Sequence, residues 1–219
     1  LDGAGIPSYE IRQGVAWDNI PFTPQIEELA RHTRAACFGS LAQRSPVSHR
    51  TIGRFLETMP DGEGQYKVFD INLRQHFYTQ QVVEESLRKC NILKINDEEL
   101  AVVGGMFGME GMQPGEQCRT LLDRYGLRIV ILTCGAAGSS VFAPDTRSYI
   151  PTPRVEVADT VGAGDSFTAS FLAALLSGLG EAHRLAVDVA AHVCSQHGAM
   201  PRLPERFTAR LCNDGPAIR

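Results

Sequence analysis

Two spacings of apolar residues alternate along the chain. Dense apolar runs at YKVFDINL (66–73), NILKIN (91–96) and RIVILTCG (128–135) predict strands, the last apolar enough to be buried on both faces. Between them, apolar residues recur at helical spacing in QIEELARHTRAA (25–36), TIGRFLETM (51–59), TQQVVEESLRKC (79–90), DEELAVVGG (97–105) and EQCRTLLDRYG (116–126). Thr23-Pro24 opens the first of these, Ser48 stands ready to cap the second, and Gly126 ends the last. Shorter strands are expected at 37–41, 139–143 and 147–151, and two apolar helices at 163–177 and 181–197. Residues 8–17 show partial strand-like alternation, GGMFGMEGMQPG (104–115) reads as a loop, and beyond Pro201 the chain is polar and broken by prolines. Strands alternating with helices predict an α/β sandwich around a mainly parallel central sheet.

Composition narrows the function. Basic residues number 21 and acidic residues 25, a net charge of −4, which excludes a generally basic nucleic-acid binder. No apolar run approaches the roughly 20 residues of a membrane span. The opening, LDGAGIPSYEIRQG, has neither the basic nor the apolar region of a signal peptide. It begins without Met and in mid-element, as a fragment would. The six cysteines are scattered with no C-x-x-C pair, so they predict no zinc ribbon and read as small buried hydrophobes of a reducing cytoplasm.

Candidate chemistry concentrates in VEVADTVGAGDSFTASFLAALLSG (155–178). Glycines just before a helix let the backbone turn sharply and leave amides exposed at the helix start, where they and the helix dipole attract an anion. A carboxylate at that point, Asp165, competes with the anion unless it is the base beside a transferring phosphoryl group. A plain capped turn is the simpler alternative. A dinucleotide fingerprint fails because Phe167 stands where a third glycine is required, and no GxxxxGK[ST] loop occurs. Asp70, Asn72 and Arg74 alternate along a predicted strand, so all three should share one polar face, with a solvated edge strand as the alternative.

DTVGAGDSF closely resembles the C-terminal signature of the PfkB/ribokinase family of carbohydrate kinases. FDINLR (69–74) resembles that family's D-x-N-x-R strand, LKINDEEL (93–100) its K-x-N-x-x-E segment, LTCGAAGS (132–139) its T-x-G-x-x-G segment, and HGAMP (197–201) the Gly-Ala pair closing its nucleotide site. The resemblance covers nearly the whole chain but lacks the family's N-terminal part. It implies a ribokinase-like three-layer sandwich with the lid largely missing. Residues 1–20 would be a remnant of lid strands and the return to the core, 21–204 the nucleotide-binding and catalytic core, and 205–219 a C-terminal tail.

By that resemblance Asp165 is the base for a sugar hydroxyl, and the backbone of Gly162, Ala163 and Gly164 is the anion hole. Asp70, Asn72 and Arg74, with Asp165, bind substrate. Asn96, Thr133, Gly135 and Gly138 would contact ATP, with Val187, Ala191 and Cys194 against the base. Asn96 and Glu99 would hold Mg²⁺ through its waters, although the same pair could simply cap the following helix. Some members also bind K⁺, here through carbonyls at Asp159, Val161 and Val193. His192 and His197 match no metal spacing and read as structural. The implied activity is ATP-dependent phosphorylation of a sugar, fructose before 2-keto-3-deoxygluconate and a nucleoside last. The partner is a small-molecule sugar rather than nucleic acid or membrane, and a homodimer is compatible. The reading from another class is a truncated, non-catalytic nucleotide-binding fragment. Loss of the first strands would leave an unpaired sheet edge and favour aggregation.

Overall fold

In the computed structural model, which describes residues 10–212, the apolar runs form one six-stranded sheet. The strands are β1 (Ala35–Phe38), β2 (Tyr66–Asp70), β3 (Ile92–Asn96), β4 (Ile129–Thr133), β5 (Ser139–Ala143) and β6 (Thr146–Ile150). They lie side by side in chain order, β1 to β4 parallel and β5 and β6 antiparallel.

Sequential order decides where the helices go. Right-handed crossovers between neighbouring parallel strands put every connecting helix on the same face. These helices are α2 (Pro46–Thr58), α3 (Gln80–Lys89), α4 (Asp97–Met106) and α5 (Pro114–Tyr125), with α1 (Pro24–His32) packed on α2. The opposite face is left for α6 (Ala163–Leu176) and α7 (Ala182–Cys194), which arrive after the β5–β6 hairpin and pack on each other.

Strand alternation supplies both cores. Phe69, Leu93, Ile95, Val130, Leu132 and Phe142 face α3, α4 and α5. Val68, Ile92, Ile131 and Ile150 face Phe167, Phe171, Leu185 and Val189 of α6 and α7. Each such side chain removed from water contributes about 1.5–3 kcal/mol. The same period puts Asp70 and Thr133, the last residues of β2 and β4, and Lys94, in the middle of β3, on the α6–α7 side. A polar corner therefore lies where a parallel sheet opens toward a ligand.

Several boundaries differ from the sequence reading. β2 stops at Asp70 rather than continuing to 73, because Asn72 and Gln75 take left-handed backbone conformations (φ 45° and 48°). Asp70, Asn72 and Arg74 therefore do not share a strand face. α2 begins at Pro46 behind Ser45, not behind Ser48, which instead accepts the Ile20 amide at 3.0 Å. Beyond Pro201 the chain is not a plain tail, since α8 (Glu205–Cys212) forms and buries Phe207 against α7.

The N-terminal stretch is also different. Of 8–17, residues 8 and 9 lie outside the described residues, and 10–17 contain no strand. A single 3-10 turn, Ala16–Asp18, leads back into the core. The buried Asp18 carboxylate accepts the Gly14 amide at 2.8 Å and pairs with Arg44 Nε and Nη2 at 2.7 and 2.8 Å. The Arg44 guanidinium holds the Asp18 carboxyl below its usual range. The cysteines divide: Cys90 and Cys118 are buried, Cys134 and Cys194 half-buried, and Cys37 sits on the exposed edge strand β1.

Candidate active site

The site is built around the start of α6. Gly162 precedes it in a left-handed conformation (φ 81°), and a Cβ there would lie 2.5 Å from the Ala199 carbonyl oxygen. Only glycine fits, for both reasons. Asp159 fixes the loop from the other side. Its Oδ1 accepts the Val161 amide at 2.9 Å and its Oδ2 the Gly198 amide at 3.2 Å, and these backbone donors lower the carboxyl below its ordinary pKa. The Ala158 and Asp159 amides donate to the Cys194 carbonyl at the end of α7. Two segments far apart in sequence, 158–162 and 198–199, thus interlock in front of the helix.

No side chain caps α6. Its first-turn amides, which have no intrahelical acceptor, open on the same corner as the dipole's positive end. The Ala163 amide leans on the Thr160 carbonyl at 3.3 Å. Asp165 stands exposed on this first turn. An exposed carboxylate beside orphan amides can take a proton while the amides hold an anion.

Beneath this turn lies a buried charge network. Asp70 and Lys94 are register partners on β2 and β3, each 8% exposed. Lys94 Nζ donates to Asp70 Oδ1 at 3.1 Å, and Thr168 Oγ1 on α6 donates to Asp70 Oδ2 at 2.9 Å. Both carboxylate oxygens are engaged, which corrects the reading of Asp70 as part of an open polar face. Arg74 is exposed and Asn72 half-buried in the loop that follows β2. Cys37 completes the corner. Although the residue lies on the exposed edge strand, its thiol is pushed up to about 11, first by local burial and then by the neighbouring Asp70 carboxylate.

Asn96 and Glu99 form a reciprocal cap at the start of α4. Asn96 Oδ1 accepts the Glu99 amide at 2.7 Å, and Glu99 Oε2 accepts the Asn96 amide at 3.0 Å. Glu99 Oε1 also accepts the Leu73 amide at 3.0 Å, so this buried carboxylate ties the post-β2 loop to the helix. Asn96 and Thr133 are register partners on β3 and β4. The turn after Thr133 is a tight β4–β5 hairpin, in which the Cys134 amide donates to the Gly138 carbonyl at 2.8 Å. Gly138 (φ 122°) leaves no room for a side chain, because a Cβ would lie 2.6 Å from the Ile150 carbonyl oxygen.

On α7, Val187 belongs to the hydrophobic core rather than to a ligand surface. Ala191 lines a shallow cleft with Pro153, Val155, His192 and Phe207. Val193 is buried in the last turn of α7, one residue before the Cys194 carbonyl that holds the loop carrying Asp159 and Val161. A wider concavity between α5 and the β5–β6 hairpin, bounded by Arg119, Phe142 and Arg147, meets the candidate site only at the Cys134–Ser139 turn. Among the described residues no three His, Cys, Asp or Glu side chains gather as a metal cluster, and no helix is long and apolar enough to cross a membrane.

Residues 47–206 match the pfkB family carbohydrate kinase pattern, and this stretch carries Asp70, Lys94, Glu99 and the whole α6 start. The chain belongs to the pfkB carbohydrate kinase family. It is 30% identical over 160 residues to a fructokinase of Rhizobium leguminosarum bv. trifolii, covering 70% of this chain and 46% of that kinase. It is 27% identical over 214 residues to a nucleoside kinase of Methanothermobacter thermautotrophicus, covering 91% of this chain and 63% of that one. The chain thus spans about half to under two-thirds of the length of these relatives. Among solved structures, aminoimidazole riboside kinase from Salmonella enterica, complexed with aminoimidazole riboside and an ATP analog, superposes with TM-score 0.68 at 25% identity, over 81% of this chain and 62% of its own. An uncharacterized sugar kinase from Pyrococcus horikoshii shares the fold with TM-score 0.76 at 23% identity, over 96% of this chain and 68% of its own. The ribokinase-like α/β fold is established on these grounds.

Within this pfkB frame, sequence reasoning gave no role to Lys94, although it is the lysine of the K-x-N-x-x-E match, and none to Thr168 or Cys37. Lys94 was legible in principle, because it lies two residues before Asn96 on one strand and must share its face. Thr168 carries no such signal; only the docking of α6 on the sheet brings it to Asp70.

Proposed function

We propose that this chain carries the phosphoryl-transfer site of an ATP-dependent sugar kinase. The observation that carries the reading is the exposed Asp165 on a first turn of α6 that no side chain caps, behind a Gly162 packed too closely on Ala199 to carry a side chain. In the transfer, the sugar hydroxyl oxygen forms the new bond to the γ-phosphorus of ATP as the bond to ADP breaks. Asp165 accepts the hydroxyl proton. The backbone at Gly162, Ala163 and Gly164 stabilises the negative oxygens of the phosphoryl group, and Arg74, on the loop after β2, would supply a positive charge. Thr133, Gly135 and Gly138 shape the strand end that would meet the nucleotide phosphates, with Ala191 and Cys194 toward the base. Fructose is the favoured acceptor, supported by the fructokinase relative, with 2-keto-3-deoxygluconate as the substrate variant in which Arg74 meets a carboxylate.

Asn96 and Glu99 suit Mg²⁺ held through water. Each Glu99 oxygen accepts one amide and keeps a lone pair, and Mg²⁺ retains several of its own waters. The ion would neutralise charge on the ATP phosphates. Carbonyls of Asp159, Val161 and Val193 are the groups that a monovalent cation would use.

ADP release by the 219-residue chain, measured with Mg·ATP across fructose, 2-keto-3-deoxygluconate, ribose and adenosine, tests the proposal. Sugar-dependent turnover that disappears in Asp165→Ala supports it. The coverage of about half the relatives' length favours a second reading, an incomplete nucleotide-binding fragment. ATP protection against unfolding without turnover would select that one.

A further inference from the structure

We infer that Asp70, Lys94 and Thr168 act as a positioning unit that sets the first turn of α6, and Asp165 with it, over the ends of β2 and β3; the inference rests on the kinase reading above. The three side chains come from three elements. Asp70 and Lys94 are fixed opposite each other by the sheet register, and Thr168 is the member of the three that lies on α6. One Asp70 oxygen takes Lys94 at 3.1 Å and the other takes Thr168 at 2.9 Å. Thr168 Oγ1 also lies 3.1 Å from the Gly164 carbonyl, one turn earlier and next to Asp165.

Stability alone is a poor reason for this arrangement. Desolvating both charges is costly, and an apolar pair of the same volume packs at least as well at many such sites. What the ion pair adds is direction. A carboxylate with both oxygens engaged fixes the rotation and height of α6 against the sheet, which apolar contact does not. Electrostatics point the same way. Lys94 Nζ would lie 3.1 Å from a Cβ built on Gly164, so an ammonium sits against the positive end of the α6 dipole. A cation placed there is disfavoured until Asp70 compensates it, and it adds attraction for an anion arriving at the exposed amides. At Gly164 an added Cβ would crowd Lys94 Nζ by a few tenths of an ångström, so glycine serves close approach here and not a left-handed backbone.

Thr168→Val and Thr168→Ser test the unit in the 219-residue chain, with Asp70→Asn as a third variant. Two readouts are taken: hydrogen exchange of the Ser166, Phe167 and Thr168 amides without ligand, and kcat and KM for the sugar. The expected result for Thr168→Val is amide exchange faster by about tenfold or more and kcat lower by about tenfold, with sugar KM within about twofold of the parent. Thr168→Ser should restore both. Parental exchange in Thr168→Val overturns the inference, as does faster exchange with unchanged kcat, which would leave a strap without a positioning role. Equal damage from serine and valine also overturns it, because the hydroxyl would then not be the cause. Exchange is measurable without turnover, so failure of the kinase reading and failure of the positioning unit are separable. Should Asp70→Asn not fold, the two Thr168 variants decide alone.

Discussion

At the scale of single residues, glycine positions divide into those that need only a conformation and those that also need space. Gly178 (φ 73°) has nothing within 4 Å of a notional Cβ, so Gly178→Ala is expected to cost about 1–2 kcal/mol of stability from the left-handed backbone alone. Gly162→Ala meets the Ala199 carbonyl as well, and must push 198–199 away from the loop. It should destabilise by about 3 kcal/mol or more and abolish turnover, whereas Gly178→Ala should leave turnover intact. Urea titration beside the ADP-release assay checks both. Asp165 is a different kind of residue. It is exposed and holds nothing together, so Asp165→Asn should lower kcat by about 10²–10⁴-fold while the unfolding midpoint stays at the parental value. A fall in both together would mean that Asp165 is a structural cap.

Whole elements set the environment in which such residues act. The β5–β6 hairpin docks on α7 through His183, whose ring nitrogens meet Ser139 Oγ at 2.8 Å and Ser148 Oγ at 2.9 Å. Burial lowers this histidine from 6.5 to about 4, with Arg184 adding to the effect. Its unfolded form therefore binds a proton at a higher pH than its folded form. The contribution is fully present above pH 6.5, is lost progressively as pH falls toward 4, and amounts to about 3 kcal/mol at most. The drop in urea midpoint between pH 7 and pH 4.5 should be smaller in His183→Gln than in the parent. An identical drop would show that His183 does not titrate on unfolding. At the other end of α7, α8 contributes one buried anchor, Phe207, 6% exposed. Phe207→Ala should cost about 3 kcal/mol and release α8, read as lost helical signal and lower unfolding midpoint.

For the molecule as a whole, the sheet ends in two edge strands, β1 and the exposed β6, and β1 is the edge that faces the missing family strands. Among the described residues β1 pairs only with β2, so its outer backbone groups face away from the sheet. The α1–α2 layer covers one face of β1 through Ala36 and Phe38, but Cys37 on the other remains exposed. An uncovered edge of this kind pairs readily with another strand. The chain is expected to self-associate with rising concentration in sedimentation velocity, and a charged substitution on that edge, Cys37→Lys, should suppress the association. A sharp monomer peak across the concentration range, with a cooperative melt, would count against an adhesive edge.

The sequence by itself determined most of the element types, the mainly parallel sheet and the glycine-led start of α6 at which the candidate chemistry was read. These follow from local causes: apolar period sets strand or helix, and a Gly-Ala-Gly-Asp run before an apolar helix gives a sharp turn with a carboxylate at the helix start, while the absence of a side-chain cap there was decided by the structure. All six strands were legible within a few residues for that reason; β2 was overextended because its apolar–polar alternation continues past Asp70 while its backbone turns at Asn72. Tertiary structure alone decided the rest. The sheet register set Asp70 against Lys94, which removed Asp70 from the open cleft and made it a buried anchor. Docking of α6 brought Thr168 to the same carboxylate, and the return of 198–199 made Gly162 sterically obligatory. Glu99 tied the post-β2 loop to the start of α4 only because β2 and β3 end side by side. Each of these contacts links residues far apart in sequence, and no periodicity or spacing within one segment encodes a partner in another.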